Sequence, residues 1–247
     1  MKVFLAGLAS RMKDNEDKLK DVSYVLESFY GIEKKPLILE RIKNKKWKMF
    51  LLDSGAFTFM NSFKGKINWE VYINSYIDFI NKYDIQYFFE LDIDVIVGYE
   101  NVKKIRKYIE QRTGKKCIPV WHKSRGLDEF ITMCKEYSYV SIGGIVIGEI
   151  TRKEYKYFPK LIKIAHDNNC KIHGLGFTNT KLLHKYPFDT VDSTSWLSGG
   201  RFGQLHLFNG SYIESKTNKE KRAKTKEVDK HNLNEWIKFQ KYADKHL

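Results

Sequence analysis

The sequence is poor in cysteine and has no long apolar run. Its three cysteines, Cys117, Cys134 and Cys170, are too few and too scattered for a disulfide framework or a Cys-rich zinc site. This usage is typical of a reducing compartment, and we expect a cytoplasmic protein. The apolar start at residues 1–8 is far too short for a signal peptide, and no later segment approaches the roughly 18 apolar residues of a membrane span. We therefore expect no association with a membrane.

Familiar metal and nucleophile motifs are also missing. The seven histidines form no His-x-His or His-Glu-x-x-His pattern, so the sequence predicts neither a bound metal nor a cofactor. One alternative stays open, in which His122 and His173 join Asp192 in a mononuclear metallohydrolase. Ser54 lacks a Gly-x-Ser-x-Gly elbow, so a nucleophilic serine is not expected.

Positive charge is in excess. The 247 residues contain 44 Lys and Arg against 30 Asp and Glu, which gives a formal charge of +14. Such a balance indicates a polyanionic partner such as nucleic acid. With 42% hydrophobic residues the chain can bury the core of one large domain, and a second domain has little room.

Strand and helix patterns alternate along most of the chain. Helical spacing covers residues 18–30, 69–83, 101–112, 127–137, 153–168, a short segment at 180–186, and 233–246. Seven strands precede residue 193 and an eighth fits at 204–208; the seven are 2–6, a strand ending at Asp53, 86–91, 117–121, 139–143, 171–175 and 190–192. This count predicts an α/β fold of the (β/α)8 TIM-barrel type over residues 1–212. Residues 213–247 are expected to form a basic segment and a final helix that packs on the barrel.

Several predicted strands end in an acid or in glycine. In a barrel the carboxyl ends of the strands meet at one mouth, so one cavity should be lined by Asp53, Asp92, His122, Gly143, Gly144, His173 and Asp192. Two carboxylates that flank a glycosidic carbon supply a nucleophile and an acid/base, and a third can accept the N–H groups of a base. The plainer alternative is that individual acids only cap the helices that follow them.

A glycine-rich stretch, residues 198–203, follows the last acid. Barrels commonly bind phosphate in this region through backbone N–H groups, so Gly199 and Gly200 are candidates and Arg201 adds a fork-shaped donor. Arg125 and the lysines of residues 216–230 are expected to add phosphate contacts. The alternatives are a tight turn for the glycines and a solvated face for the lysines.

Five motifs occur in an order that resembles the tRNA-guanine transglycosylase superfamily, including its branch that installs 7-deazaguanines in bacterial and phage DNA. The first is Asp-Ser-Gly-Ala-Phe at 53–57, and the second is Leu-Asp at 91–92. The third is Gly-Gly-Ile-Val-Ile-Gly-Glu at 143–149, followed by Gly-Leu-Gly at 174–176. The last is Val-Asp-Ser at 191–193 with Gly-Arg-Phe-Gly-Gln at 200–204. The resemblance spans about residues 50–210.

The resemblance implies a (β/α)8 enzyme that exchanges a base without a cofactor. Asp192 would attack C1′ of a guanosine, and a 7-deazaguanine such as preQ0 or a derivative would then displace the aspartate. Asp53 would be the acid/base. The base would be held by Asp92 and Ser54 and by the backbone of Gly143 and Gly144. Independently of the resemblance, the position of His122 and His173 at strand ends makes them candidate walls of the base pocket.

Two departures from the family pattern affect the expected substrate. The tRNA enzymes carry a Cys-rich zinc site near their C-terminus, and no cysteine follows Cys170, so DNA is preferred over tRNA as the partner. Pro-Val-Trp-His at 119–122 replaces a usual Gln-Gly-Gly segment, which leaves the choice of deazaguanine open. Three alternatives remain: a queuine-type tRNA transglycosylase, a carboxylate-dependent hydrolase of glycosides or nucleosides, and a non-catalytic nucleic-acid-binding barrel.

Overall fold

The computed structural model describes residues 1–56, 68–217 and 225–247, with the backbone alone at 12–15, 200, 201, 217 and 225. Two parts of the predictions lie outside the described residues. They are Phe57, the last residue of the Asp-Ser-Gly-Ala-Phe motif, and residues 218–224 of the basic segment.

A curled sheet of parallel strands forms the centre of the fold. Its spatial order is β3-β2-β1-β7-β6-β5-β4. The strands are β1 Lys2–Ala6, β2 Tyr24–Ser28, β3 Met49–Asp53, β4 Val120–Trp121, β5 Tyr139–Ile142, β6 Lys171–Gly174 and β7 Thr190–Ser193. Each pairs in parallel with its neighbours, so all their carboxyl ends lie at the same edge. The α/β class is thereby confirmed, and the curled half-barrel sheet is consistent with a TIM-like fold.

Residues 87–90, predicted as part of a strand, connect to both edges of this sheet by isolated bridges. Leu52 in β3 exchanges hydrogen bonds of 3.0 and 2.9 Å with this segment, and Ile118, just before β4, exchanges bonds of 2.8 and 3.1 Å with it. No continuous ladder forms on either side among the described residues. The sheet therefore has seven regular strands and is not a closed barrel of eight.

The helix predicted over residues 18–30 is wrong. Helix α1, Met12–Leu19, ends early and β2 follows it, in which Tyr24, Val25 and Leu26 are buried. A parallel strand that is covered on both faces is apolar throughout, so its sequence lacks the alternation that would mark it as a strand. Two short helices then lead to β3: α2 Phe29–Ile32 and α3 Pro36–Lys43.

The predicted eighth strand also lies elsewhere. Strand β8, Gln204–Phe208, pairs antiparallel with β9, Ile213–Thr217, in a separate hairpin. Its side chains alternate between more exposed and more buried positions, as expected for a hairpin with one solvent-exposed face. This strand therefore does not complete the parallel sheet.

Helices cover the outer face of the sheet. They are α4 Trp69–Lys82, α5 Asp94–Val97, α6 Tyr99–Thr113, α7 Gly126–Glu136, α8 Phe158–Asp167, α9 Ser198–Phe202 and α10 Thr225–His246. The strands alternate between two apolar clusters: Val3 and Leu5 face the helices, whereas Phe4 and Ala6 lie in the smaller inner cluster. The predicted helix at 180–186 is only a 3-10 turn, Thr180–Leu182. None of the described helices is long and apolar enough to cross a membrane.

The final helix α10 is fastened to the amino-terminal strands. The Gln240 amide donates to the carbonyls of Val3 (2.7 Å) and Tyr24 (2.9 Å) and accepts from Ser23 N (2.7 Å). Both N–H groups and the carbonyl oxygen of this buried amide are thus hydrogen-bonded to backbone. The helix therefore packs against β1 and the start of β2.

Candidate active site

The three predicted acids lie at the carboxyl edge of the sheet. Asp53 is the last residue of β3, Asp192 lies in β7, and Asp92 follows the bridging segment 87–90. The negative charges of Asp192 and Asp92 both raise the pKa of Asp53, so the three carboxylates are close enough to interact. The expected convergence on one mouth agrees with this coupling.

Asp192 is held on one side only. It is 6% exposed, and its Oδ1 accepts from Gly176 N at 2.5 Å and contacts His173 Nε2 at 3.2 Å. Gly176 has φ +69°, and a Cβ atom there would lie 2.2 Å from Val146 Cγ2, so glycine is needed to bring this N–H to the carboxylate. Among the described residues, Oδ2 has no hydrogen-bond partner. One oxygen of Asp192 is fixed and the other is available for chemistry.

His173 lies behind Asp192 and is fully buried. Its Nδ1 is 2.7 Å from Thr190 Oγ1, which is in turn 2.5 Å from the Tyr139 hydroxyl. One tautomer satisfies all of these hydrogen bonds, a neutral imidazole with its proton on Nε2. Tyr139 then donates to Thr190, Thr190 donates to His173, and His173 donates to Asp192. This placement makes His173 a support of Asp192 and does not favour the predicted role as a wall of a base pocket.

Asp53 has a strongly altered acidity. Its pKa is raised from 3.8 to about 6, mainly by burial; the charges of Asp192 and Asp92 add to this rise, and the Gly55 N–H, 3.1 Å from Oδ2, opposes it. Gly55 has φ +70°, which allows the turn to bring its N–H back to the carboxylate. Such a group can both donate and accept a proton near neutral pH.

Ser54 is buried and mainly shapes the turn after β3. Its carbonyl oxygen accepts from the Tyr72 hydroxyl at 2.5 Å, and its own hydroxyl accepts from Ala56 N at 3.4 Å. The predicted contact of Ser54 with the edge of a base stays a prediction.

On the other side of the mouth, His122 lies between two carboxylates. Its Nε2 is 2.7 Å from Asp92 Oδ2 and its Nδ1 is 2.7 Å from Glu149 Oε2. Burial lowers the pKa of His122, but the hydrogen bonds and charges of Asp92 and Glu149 outweigh it and raise the pKa to about 9. The ring is therefore a cation at neutral pH, with both N–H groups donated to carboxylates.

Arg125 is enclosed by acids. Its side chain is 3% exposed and its guanidinium pairs with Asp94 (2.8 Å), Asp92 (3.1 Å) and Glu90 (3.3 Å). The same group lies 4.3 Å from the centre of the Tyr99 ring. A guanidinium this buried and this fully paired is not open to a phosphate, so the geometry does not support the predicted phosphate contact of Arg125.

Glu90, Arg106 and Glu149 belong to the same ionic network, and no role was predicted for them. Arg106 Nε lies 2.6 Å from Glu90 Oε2, and Glu90 Oε1 accepts from Val120 N at 2.8 Å. Burial raises the pKa of Glu90, and the opposing charges of Arg106 and Arg125 offset this only in part. The sequence signal for Glu90 is that it is a charged residue inside the apolar run at 88–91. The signal for Glu149 is its position at the end of the Gly-Gly-Ile-Val-Ile-Gly-Glu motif.

The two glycines after β5 allow His122 and Glu149 to approach. A Cβ atom at Gly143 would lie 2.7 Å from Val120 Cγ1 and 2.8 Å from His122 Nε2. Gly144 has φ +77°, and a Cβ atom there would lie 2.5 Å from Glu149 Oε2. Both positions therefore require glycine for local packing. Their predicted backbone contacts with a base stay predictions.

The predicted phosphate loop lies in the short helix α9. Gly199 is buried against α10, and a Cβ atom there would lie 2.4 Å from Val228 Cγ1 and 2.9 Å from Asn232 Nδ2. Close packing of two helices explains this glycine, and its predicted phosphate contact through the backbone N–H stays a prediction. The surroundings of Gly200 and the side chain of Arg201 lie outside what the structure describes, so their phosphate contacts stay predictions.

The metallohydrolase alternative would need His122, His173 and Asp192 to share an ion. Both ring nitrogens of His122 contact carboxylates, whereas His173 Nδ1 is held by Thr190. Across the described ranges, no group of three or more His, Cys, Asp or Glu side chains is arranged to hold a metal ion. The observed side-chain pairing does not favour this alternative.

Comparison with protein-family models and with curated proteins finds no match to the chain.

Proposed function

We propose that the chain is a guanine transglycosylase that acts on nucleic acid, with Asp192 as nucleophile and Asp53 as acid/base. One observation carries this proposal. Asp192, with one oxygen fixed and one unpaired among the described residues, lies within electrostatic reach of Asp53, whose pKa is raised to about 6. Two adjacent carboxylates in different environments are the pairing that covalent glycosyl transfer requires.

In the first step, Asp192 Oδ2 attacks C1′ of the target guanosine. The C1′–N9 bond breaks, its electron pair stays with guanine, and the proton of Asp53 neutralises the departing heterocycle. A glycosyl ester of Asp192 remains. In the second step, ionised Asp53 accepts the N9 proton of the incoming 7-deazaguanine, and that nitrogen displaces Asp192 from C1′. Asp53 regains its proton and the configuration at C1′ is retained.

His173 and Gly176 support the nucleophile through Oδ1 in this mechanism. Their two contacts hold Oδ1, so that Oδ2 is the oxygen left to attack the substrate. The buried chain through Thr190 and Tyr139 holds the imidazole in turn. His173 is thus proposed as a positioning residue.

Asp92 is proposed to accept the N1–H and N2–H groups of guanine. Its side chain is 28% exposed, and each oxygen already accepts from one cation, His122 or Arg125. A carboxylate has about four acceptor sites, so one lone pair on each oxygen remains for the base. The two cations hold both oxygens of this carboxylate in place.

The fold and the substrate class can be proposed in finer terms. Residues 87–90 bond to both edges of the sheet, which supports a (β/α)8 barrel in which the fourth strand is reduced to isolated bridges. The charge of +14 supports a nucleic-acid substrate, and the lack of cysteine after Cys170 supports DNA over tRNA. The incoming base would be a 7-deazaguanine such as preQ0 or a derivative.

The test is incubation with labelled guanine and, separately, guanine-containing DNA or bulk tRNA at equal salt. Incorporation that Asp192→Asn abolishes supports exchange, and the exposed surface variant Asp167→Asn is the matched control. Release of guanine without incorporation would indicate hydrolysis, and binding alone would indicate a non-catalytic barrel. Incorporation into tRNA alone would refute the DNA preference and leave the exchange chemistry intact.

A further inference from the structure

An apolar cavity of about 280 Å³ lies beside the mouth and has no part in the proposed chemistry. Its walls are formed by Trp121, Leu127, Ile150, Tyr157, Phe158 and Leu161. Trp121 and His122 are consecutive at the end of β4, and their side chains project to opposite faces of the sheet. The cavity is therefore separated from the His122 side of the mouth by the width of a single strand.

The segment that forms one side of this cavity is basic. Residues 152–160 contain four cations, Arg152, Lys153, Lys156 and Lys160, and a single acid, Glu154. Lys123 and Lys160 border the cavity itself, and Lys123 pairs with Glu154 at 2.5 Å. An apolar cavity with several lysines around it matches a ligand that is both planar and anionic.

The side of the cavity formed by the turn Arg152–Tyr157 is already ordered. Glu154 Oε2 accepts from both the backbone N–H and the hydroxyl of Thr151, each at 2.9 Å, which closes a capping box. Tyr155 stacks on Phe158 with ring centres 4.9 Å apart. Tyr157 remains 54% exposed, with Lys156 Nζ 5.2 Å from its ring centre.

We propose that this cavity binds a base of single-stranded DNA that flanks the target nucleotide, while the rim lysines contact phosphates. This inference rests on the proposed function for its substrate. Ligand pockets of about 300–1,000 Å³ hold drug-sized molecules, so this smaller cavity suits one heterocycle. Aromatic side chains that stack bases beside a cationic track are the usual device of single-strand binding.

Binding can be measured apart from catalysis with an oligothymidylate of about 15 nucleotides, which contains no guanine to exchange. Fluorescence anisotropy should show Tyr157→Ala binding about ten-fold more weakly than the parent chain. Lys160→Gln should reduce the slope of log K against log salt by about 0.7, the value for one phosphate contact on a single strand. Both side chains are exposed, and thermal unfolding of each variant checks that the fold is kept.

Helix α6 offers matched controls. Tyr108 is 39% exposed and has the Arg112 guanidinium 5.9 Å from its ring, and Lys107 is exposed beside it. Tyr108→Ala and Lys107→Gln should leave oligothymidylate binding and its salt slope unchanged. If these variants weaken binding as much as those at the cavity, the contact is diffuse and the proposal fails.

The remaining outcomes separate this inference from the proposed function. Absence of oligothymidylate binding, or equal binding by Tyr157→Ala, overturns the inference even if guanine exchange is found. The expected losses at Tyr157 and Lys160 without any guanine incorporation support the inference and overturn the exchange proposal. A dimer that Tyr157→Ala dissociates in sedimentation would show that a second copy fills the cavity. Tight binding of oligouridylate with none of oligothymidylate would assign it to RNA; both results refute the proposal.

Discussion

The exchange reaction should lose its acid as the pH rises through about 6. Burial, together with the charges of Asp192 and Asp92, raises the pKa of Asp53 from 3.8 to about 6. At pH 7 about a tenth of the molecules would then carry the proton, against fewer than about one in a thousand for an ordinary aspartate. The shift of roughly two units corresponds to about 3 kcal/mol in favour of the protonated form.

The assay is the pH dependence of kcat/KM for guanine incorporation, which reports groups of the free enzyme. The first step needs protonated Asp53, so log kcat/KM should fall with unit slope above about pH 6. Asp92→Asn removes one of the charges that raise the pKa of Asp53, so the falling limb should move to lower pH. The exposed variant Asp167→Asn should leave the limb in place.

Two results would refute this reasoning. A rate that is independent of pH between 5 and 8 would mean that Asp53 does not supply the proton. A falling limb that stays at the same pH in Asp92→Asn would mean that the group being titrated is not coupled to Asp92. Asp53→Asn provides the remaining check, because it should remove the limb together with most of the activity.

Three further predictions concern buried groups. Burial raises the pKa of Glu27 from 4.5 to about 8, so the folded state holds this proton more tightly than the unfolded state does. The stability that depends on protonated Glu27 is therefore fully present below about pH 4.5 and is lost as the pH rises through about 8. In Glu27→Gln the side-chain oxygen can still accept from Ala9 N. In urea titrations the free energy of unfolding of this variant should match that of the parent chain near pH 4 and exceed it by up to about 4 kcal/mol at pH 8. Parallel pH profiles of the two proteins would contradict this. Gly143→Ala should displace the His122 ring, so NMR titration should find the pKa of His122 lowered from about 9 towards 6.5, and an unchanged titration would contradict the close approach. Arg106→Met removes one of the positive charges that neutralise buried Glu90 and should lower the free energy of unfolding by about 3–5 kcal/mol. Lys163→Met breaks an exposed ion pair and should change the free energy of unfolding by less than about 0.5 kcal/mol.

The sequence predicted the architecture where strands and helices alternate clearly. It failed at β2 because Tyr24, Val25 and Leu26 are buried on both sides of the sheet, and a continuous apolar stretch fits a helix as well as a strand. It failed at Gln204–Phe208 for a different reason. The alternation of apolar and polar residues identifies a strand but not the strand with which it pairs. Here the partner is β9, which follows closely in the sequence and forms a hairpin with it.

The position of the acids at strand ends could be predicted, but their partners could not. Arg125 follows β4 closely and is charged, so the sequence alone permits both a phosphate contact and an internal ion pair. The choice is made by Glu90, Asp92 and Asp94, which come from a segment about 30 residues earlier and surround the guanidinium only after folding. Pairings of this kind depend on how the 87–90 segment docks between the sheet edges.

The two sides of the mouth differ in the charge that surrounds their acids, and this difference separates the proposed roles. Among the described residues, Asp53 and Asp192 are contacted by backbone N–H groups and the His173 imidazole, and burial with mutual repulsion favours a proton on Asp53. Asp92 instead accepts from two cations, His122 and Arg125. A carboxyl with a raised pKa, Asp53, therefore lies on the side where bonds to C1′ would change, and an acceptor paired with two cations lies where the N–H edge of guanine would be read. Three aspartates of one chemical type can serve as nucleophile, acid/base and acceptor because their neighbours differ.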